Sequence, residues 1–103
     1  MLRRKMPETD YRASRFCRVL GNPTAYQILK LLIKSKMTPT ELSQQIGLSL
    51  KTISSTLRHL RQINVVRYET KNKNKIYFLK DELLPHVLSN IEKYVDKMRT
   101  AKW

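Results

Sequence analysis

Two helix-start signals lie close together in the middle of this 103-residue chain, with a glycine between them. Thr38-Pro39-Thr40-Glu41 forms a capping box with proline at the first helical position, because the Thr hydroxyl and the Glu carboxylate can each bind an unpaired backbone N–H. Gly47 ends the first helix, and Ser49 caps the second. The sequence therefore predicts helices over about 39–46 and 50–62 with a three-residue turn, which is a helix-turn-helix.

The second of these helices has two faces of different composition. Ile53, Leu57 and Leu60 recur at three- and four-residue intervals and form its apolar face. In a helix-turn-helix the second helix enters the DNA major groove, so its other face needs small or polar side chains that can approach base edges. An ordinary solvated helix face has a similar composition, and the rest of the chain has to decide between the two. The residues predicted to contact bases are Ser49, Leu50, Lys51, Thr52, Ser54 and Ser55.

A β-hairpin is predicted directly after the helix-turn-helix. Residues 65–69 and 76–79 are rich in β-branched and aromatic types, and the polar segment TKNKNK between them favours a turn, where Asn72 and Asn74 tolerate a left-handed backbone. A hairpin in this place is a wing, and its basic tip would meet DNA phosphates or the neighbouring minor groove. The residues predicted to contact phosphates are Arg58, Arg61, Lys71, Lys73 and Lys75.

Three more helices are predicted around this unit. The first covers 9–20, with Phe16, Val19 and Leu20 on one side, and ends at Gly21. The second, over roughly 23–35, has a broad apolar face and is expected at the centre of the core. The last runs from Asp81 to about Thr100, with Asp81 and Glu82 in its first turn, although Pro85 would allow a start one turn later.

The last helix has a longer apolar stripe than a chain of this size needs for its own core. We expect part of the stripe to cover that core and the remainder to pack against a second copy beside residues 11–20, giving a two-fold homodimer. A stripe used wholly within one chain is the alternative. The predicted interface residues are Phe16, Leu84, Val87, Leu88, Ile91, Tyr94, Val95 and Met98.

The composition restricts the partners and the class of protein. With 21 Lys and Arg against 8 Asp and Glu, the net charge is +13 and is spread along the chain, which favours a polyanionic partner. No apolar run is long enough for a membrane span or a signal peptide, so no membrane partner is expected. A single cysteine excludes an intrachain disulfide and fits a reducing cytosol. No phosphate-binding loop or catalytic motif is present, so neither enzyme activity nor a cofactor is expected.

A set of short motifs spans residues 20–81 in a characteristic order. They are Leu20-Gly21-Asn22-Pro23, Glu41-Leu42-Ser43, Ile46-Gly47-Leu48-Ser49, Thr52-Ile53-Ser54, Leu57, Leu60-Arg61, Tyr77 and Leu79. In order and spacing they resemble the winged helix-turn-helix of the ArsR family of bacterial and archaeal repressors. The resemblance implies a mainly α fold with a small β-hairpin, in the order α1-α2-α3-α4-β-β-α5. It also implies a cytoplasmic, nucleoid-associated homodimer that binds an imperfect palindrome through the helix at 50–62.

The chain departs from that family at two places. Asn64 replaces the glycine usual in the turn after the recognition helix, a mild change because Asn also reaches positive φ. The metal ligands of many members are missing: residues 37–42 hold no cysteine, and Asp81 is the one match to an Asp-X-His site. The partner positions of that site are Leu83, Tyr94 and Lys97, none of which binds zinc as His or a carboxylate does. No metal site is predicted.

Three further side chains have alternative interpretations. Cys17 is expected to be a buried small apolar residue, with a redox role as the alternative, and His59 and His86 are expected to be solvated, phosphate-facing or interfacial. Our prediction for residues 1–103 is one DNA-binding domain with dimerisation helices at both ends, which reads specific double-stranded sequences. A non-specific architectural DNA-binding protein and a winged-helix module that binds RNA or protein remain as alternatives.

Overall fold

The computed structural model describes residues 5–100, and the side chains of residues 5–99. Five helices and one two-stranded antiparallel sheet follow each other in the predicted order. The elements are α1 (Glu8–Leu20), α2 (Pro23–Lys34), α3 (Pro39–Ile46), α4 (Leu50–Gln62), β1 (Val66–Lys71), β2 (Asn74–Leu79) and α5 (Leu83–Thr100). The predicted winged helix-turn-helix architecture is confirmed, and the predicted helix bounds are correct to within about two residues.

A single apolar core joins these elements. The central helix is α2, as predicted, because Ala25, Ile28, Leu29 and Leu32 are all buried in its middle. The largest side chains with almost no exposure come from every element except α1 and β2: Ile28, Leu29, Leu42, Ile53, Leu57, Leu60, Val66 and Leu88. Because α3 and α4 contribute four of these eight side chains, the helix-turn-helix is held rigidly on the core and not on a flexible arm.

The helix-start signals form the hydrogen bonds predicted for them. The N–H of Glu41 donates to the Thr38 hydroxyl at 3.2 Å, and the N–H of Thr38 donates to the Glu41 carboxylate at 2.9 Å, which completes the capping box. Gly47 then ends α3 at φ 83°, a left-handed conformation that favours glycine. The Ser43 hydroxyl donates to the carbonyl of Leu48 and holds the turn against α3.

The turn of the hairpin is shorter than predicted. The strands extend to Lys71 and from Asn74, and only Asn72 and Lys73 remain between them, with φ values of 51° and 67°. Two consecutive left-handed residues form a tight turn whose twist matches that of paired strands, so pairing continues to Lys71 and Asn74. Of the two residues predicted to tolerate a left-handed backbone, Asn72 adopts it, whereas Asn74 begins β2 and Lys73 is the second left-handed residue.

The base of the hairpin is attached to the segment before α3. Met37 and Tyr77 exchange two backbone hydrogen bonds of 3.1 and 2.7 Å. This segment therefore pairs with the edge of β2 through one isolated antiparallel bridge. Val65 donates to the carbonyl of Leu60 and links the hairpin to the end of α4. Asn64, in the turn between α4 and β1, has φ 65°. Asn can adopt this positive φ at a position where the ArsR family usually has glycine.

Two predictions about the flanking helices are wrong. Helix α5 begins at Leu83, so Asp81 and Glu82 precede it, and the Asp81 carboxylate accepts a hydrogen bond from the N–H of Leu83 at 2.9 Å. This start leaves Pro85 in the first turn, where its missing N–H is not needed. Cys17 is exposed, because α1 turns Phe16, Val19 and Leu20 towards the core and Cys17 away from it.

Candidate nucleic-acid interface

Helix α4 presents one face to the core and the opposite face to solvent. Ile53, Leu57 and Leu60 have no exposed surface, and the Thr56 hydroxyl donates to the carbonyl of Thr52 at 2.9 Å. Residues spaced by three and four positions share a face of a helix. The residues directly opposite the core are therefore Lys51, Ser55, Arg58 and Gln62, and all four are exposed.

All six residues predicted to contact bases are exposed, but they have different local partners. The hydroxyl of Ser49 accepts from the N–H of Thr52 at 3.2 Å and lies 3.0 Å from the Thr52 hydroxyl, so these two side chains cap the helix. Lys51, Ser54 and Ser55 form no side-chain hydrogen bond or ion pair within residues 5–100. Leu50 is half exposed at the first position of α4.

Gln62 completes the outward line of α4 and was not among the predicted contact residues. Its place follows from continuing the interval of three and four residues from Lys51 through Ser55 and Arg58. This periodicity was available in the sequence. The base contacts were predicted only in the N-terminal half of the helix, where the small polar residues are densest.

The hairpin has two faces with different neighbours. Alternate residues of paired strands share a face. The inner face holds Val66, Tyr68, Thr70, Lys75, Tyr77 and Leu79, and the outer face holds Arg67, Glu69, Lys71, Asn74, Ile76 and Phe78. Since the Arg61 side chain of α4 lies on the Tyr68 ring, the inner face is the one beside the recognition helix.

Two cations meet over one aromatic ring on the inner face. The Cζ atom of Arg61 lies 4.7 Å from the ring centroid of Tyr68, and the Nζ atom of Lys75 lies 4.8 Å from the same centroid. The Tyr77 ring packs beside it, with centroids 5.3 Å apart and planes tilted by 41°. Positive charge from α4 and from β2 is thus concentrated at the junction of recognition helix and wing.

The outer face has one cation–ring contact, and there the positive charge is paired with a carboxylate. The Nζ atom of Lys36 lies 4.8 Å from the ring centroid of Phe78 and 3.4 Å from a carboxylate oxygen of Glu69. Lys71 is on this outer face, whereas Lys73 is in the turn. The five residues predicted to contact phosphates therefore divide: Arg61 and Lys75 converge, Arg58 lies on the outward line of α4, and Lys71 points away from Lys75.

The residues predicted for the dimer surface differ in their burial within the single chain. Leu84 and Leu88 are buried in the core of their own chain, so the structure corrects their assignment to a surface. Phe16, Val87 and Ile91 are half-buried against that core, and the exposed part of α5 carries Tyr94, Val95 and Met98. Two more apolar residues are exposed: Tyr11, in the segment 11–20 that was predicted to lie beside the interface, and Leu83 at the start of α5, which was not predicted.

Helix α5 is anchored to α2 by one carboxylate. Glu92 accepts a hydrogen bond from the Tyr26 hydroxyl at 2.7 Å and pairs with the Lys30 ammonium at 3.0 Å. Burial and the bond to the Glu92 carboxylate raise the pKa of Tyr26 to about 12. The bonds from Tyr26 and Lys30 lower the pKa of Glu92. The anchor fixes the direction in which the exposed end of α5 leaves the domain.

The described residues form neither a metal-ligand cluster nor a membrane-spanning helix. Within residues 5–100, no three His, Cys, Asp or Glu side chains are grouped so that they could hold a metal ion. Across the same range, no helix combines the length and the apolar character needed to cross a bilayer.

The geometry described above defines the class of protein: a winged helix-turn-helix. Residues 22–68 match the sequence model of the family described as "Bacterial regulatory protein, arsR family". This match covers α2, α3, α4 and the start of β1, and it confirms the resemblance to the ArsR family predicted from the motifs. Comparison with curated proteins gave no significant match.

Solved structures of bacterial proteins share the whole fold. Rv0081 of M. tuberculosis is 24% identical, with a TM-score of 0.84 over 93% of this chain and 96% of that one. A fragment of Mb0332 of Mycobacterium bovis, described as a homodimeric winged helix-turn-helix DNA-binding domain, is 19% identical with a TM-score of 0.79 over 95% and 93%. The transcriptional repressor BigR of Xylella fastidiosa is 21% identical with a TM-score of 0.74 over 86% and 96%. These similarities show the fold.

Proposed function

We propose that this protein is a homodimeric transcriptional regulator that binds specific double-stranded DNA sequences. The observation that carries the proposal is the outward line of α4, where small and polar side chains stand opposite a fully buried apolar stripe. Ser, Lys and Gln side chains on such a face can donate to or accept from base edges in the major groove. The ArsR-family match over this segment supports the same reading.

In the proposed complex, base contacts and phosphate contacts come from different parts of the surface. Lys51, Ser54 and Ser55 have no internal partner within the described residues and are available to bases, while Ser49 and Thr52 hold the start of α4. Arg61 and Lys75, which converge on the Tyr68 ring at the end of α4, would neutralise phosphates there, and Arg58, Lys71 and Lys73 are proposed as further phosphate contacts. The net charge of +13 adds a long-range attraction that depends on salt concentration.

The dimer proposal rests on the apolar surface of α1 and α5. Tyr11, Leu83, Tyr94, Val95 and Met98 are all exposed in the single chain, at fractions between 42% and 67%. Several large apolar side chains exposed on the same two helices favour a protein interface in a chain that is otherwise strongly charged. The Mb0332 fragment, which has the same fold, is described as homodimeric. A two-fold dimer would place two copies of α4 on a palindromic site.

Repression is the proposed regulatory outcome, supported by the description of BigR as a transcriptional repressor. A dimer that covers a palindrome within a promoter excludes other proteins from the same DNA. The DNA target places the proposed site of action in the cytoplasm, at the nucleoid.

Fluorescence anisotropy of the protein on two DNA duplexes tests this proposal. One duplex carries the DNA upstream of its own gene and the other a random sequence of equal length, both titrated over a series of salt concentrations. We expect both affinities to fall steeply with salt, and the upstream DNA to bind about a thousandfold more tightly at physiological salt. Equal affinity for the two duplexes would mean either that the operator lies elsewhere or that the protein is architectural, and selection from a random-sequence pool separates these cases. No binding to either duplex would favour an RNA or protein partner.

A further inference from the structure

We propose that Tyr68 is a positioning residue that holds Arg61 and Lys75 together as one clamp for the DNA phosphate backbone. The clamp rests on the proposed DNA-binding function and adds the residue that organises its phosphate contacts. Tyr68 itself is half-buried and is not required to touch DNA. Its ring connects the last turn of α4 with β2, so it joins the recognition helix to the wing.

The ring limits where the two cations can go. Arg and Lys side chains have long flexible stems, and they lose conformational freedom when they bind a phosphate. Attraction to the face of an aromatic ring restricts each stem before DNA arrives. Because both charges lie within 4.8 Å of the same centroid, they are held in one small region of the surface, where they could address neighbouring phosphates.

The charges of the clamp are not neutralised by the protein. Arg61 and Lys75 form no ion pair within residues 5–100, unlike Arg12 with Glu8, Lys30 with Glu92 and Lys36 with Glu69. Lys36 makes the same type of ring contact, with Phe78 at 4.8 Å, but it is paired with Glu69 on the outer face. The chain therefore contains both a charged clamp facing α4 and a compensated counterpart facing away from it.

The counterpart supplies matched controls for mutagenesis. The test compares Tyr68→Leu and Tyr68→Phe with Phe78→Leu, and Lys75→Ala with Lys36→Ala. Each folded variant is titrated by anisotropy on the upstream duplex and on random duplex over several salt concentrations. Circular dichroism and thermal unfolding of each variant report whether the wing stays folded.

We expect Tyr68→Phe to bind as the wild type does, because it retains the ring. Tyr68→Leu should lose about fivefold in affinity on both duplexes, because DNA binding must then order the two stems that the ring no longer holds. Lys75→Ala should lower the salt slope by about one unit. In the double variant Tyr68→Leu/Lys75→Ala the loss should be smaller than the product of the two single losses, because the clamp is already disordered. Phe78→Leu and Lys36→Ala should each stay within about twofold of wild type.

Three results would overturn the clamp. They are wild-type affinity in a folded Tyr68→Leu variant, independent effects in the double variant, and an equal loss in Phe78→Leu. A measurement on the wild-type protein covers the case in which Tyr68→Leu does not fold: NMR should show the Lys75 side-chain protons shifted upfield by the Tyr68 ring, and unshifted protons would refute the contact. If the wild type binds DNA but any of these contradicting results is obtained, the clamp alone is wrong. If it binds no DNA, the proposed function fails first.

Discussion

Helices α4 and α5 are both amphipathic, but they use their outer faces differently. In α4 the apolar stripe of Ile53, Leu57 and Leu60 is buried, although Leu50 at the first position of the helix is half exposed. The outward line of Lys51, Ser55, Arg58 and Gln62 is polar. In α5 the first half is buried at Leu84 and Leu88, while the second half exposes large apolar side chains. The outer face of α4 fits a polar, charged partner, whereas the outer face of α5 fits a second protein surface.

This difference shows that hydrophobic periodicity alone does not identify a partner. Both helices have a regular apolar stripe, and the stripe of α4 ends where the core ends. The stripe of α5 continues beyond the core, and only the burial of each residue in the folded chain separates the two parts. Substitutions in the buried half and in the exposed half of α5 should therefore have different effects, the first on folding and the second on dimer formation.

The largest effect is expected at Leu88. Its side chain has no exposed surface, so Leu88→Asp buries a charge without a partner and should lower the free energy of unfolding by more than about 4 kcal/mol. Urea denaturation measures this loss, with Leu88→Met as the volume-matched control. A folded Leu88→Asp chain of near wild-type stability would contradict the placement of α5 on the core.

The next effect concerns the exposed half of the same helix. Val95→Asp and Tyr94→Asp each place a charge on a surface that is already solvated in the single chain, so each variant should stay folded and become monomeric. Loss of the paired half-site should weaken binding to a palindrome by about a hundredfold or more. Sedimentation equilibrium reports the mass, and a mass equal to that of the wild type would exclude this surface as the interface.

A smaller effect is expected on the outer face of α4. Ser55→Ala and Lys51→Ala should change which base is preferred at single positions of the site, by about 1–3 kcal/mol per lost base contact. Selection from a random-sequence DNA pool with each variant measures the preference, and Lys71→Ala on the outer face of the wing serves as the control. An unchanged preferred sequence in both α4 variants would show that these residues do not read bases.

The smallest effect concerns the anchor between α2 and α5. Hydrogen bonds from Tyr26 and Lys30 lower the pKa of Glu92 in the folded chain, so the stability that they add is present above the pKa of the unfolded carboxyl. It is lost as the pH falls through the lowered pKa. Between about pH 6 and pH 3 the wild type should therefore lose more stability than Glu92→Gln. Urea denaturation across this range compares them, and equal pH dependence would refute the anchor.

Local signals in the sequence were sufficient for most of the fold. The capping residues Asn22, Thr38 and Ser49 bind backbone N–H groups within the next few residues, so their role does not depend on distant parts of the chain. The hairpin turn was predicted too long, because Lys73 has no local preference for positive φ. Strand pairing on either side of the turn imposes that conformation.

The candidate site was less predictable because it depends on contacts between distant residues. The exposure of Ser54 and Ser55 followed from helix periodicity. The division of the wing lysines did not, because the sequence does not reveal the register that puts Lys75 beside Arg61 and Lys71 on the other face. Likewise, the periodicity of α5 could not separate the core residues Leu84 and Leu88 from the exposed Tyr94 and Val95.

Selection of binding sites by the wild-type protein from a random-sequence duplex pool tests the central claim most directly. A dimer that reads bases with two copies of α4 should enrich two related half-sites, arranged palindromically with centres about 10 base pairs apart or a multiple of that distance. A pool that binds tightly but shows no preferred sequence after repeated rounds would contradict base reading by α4.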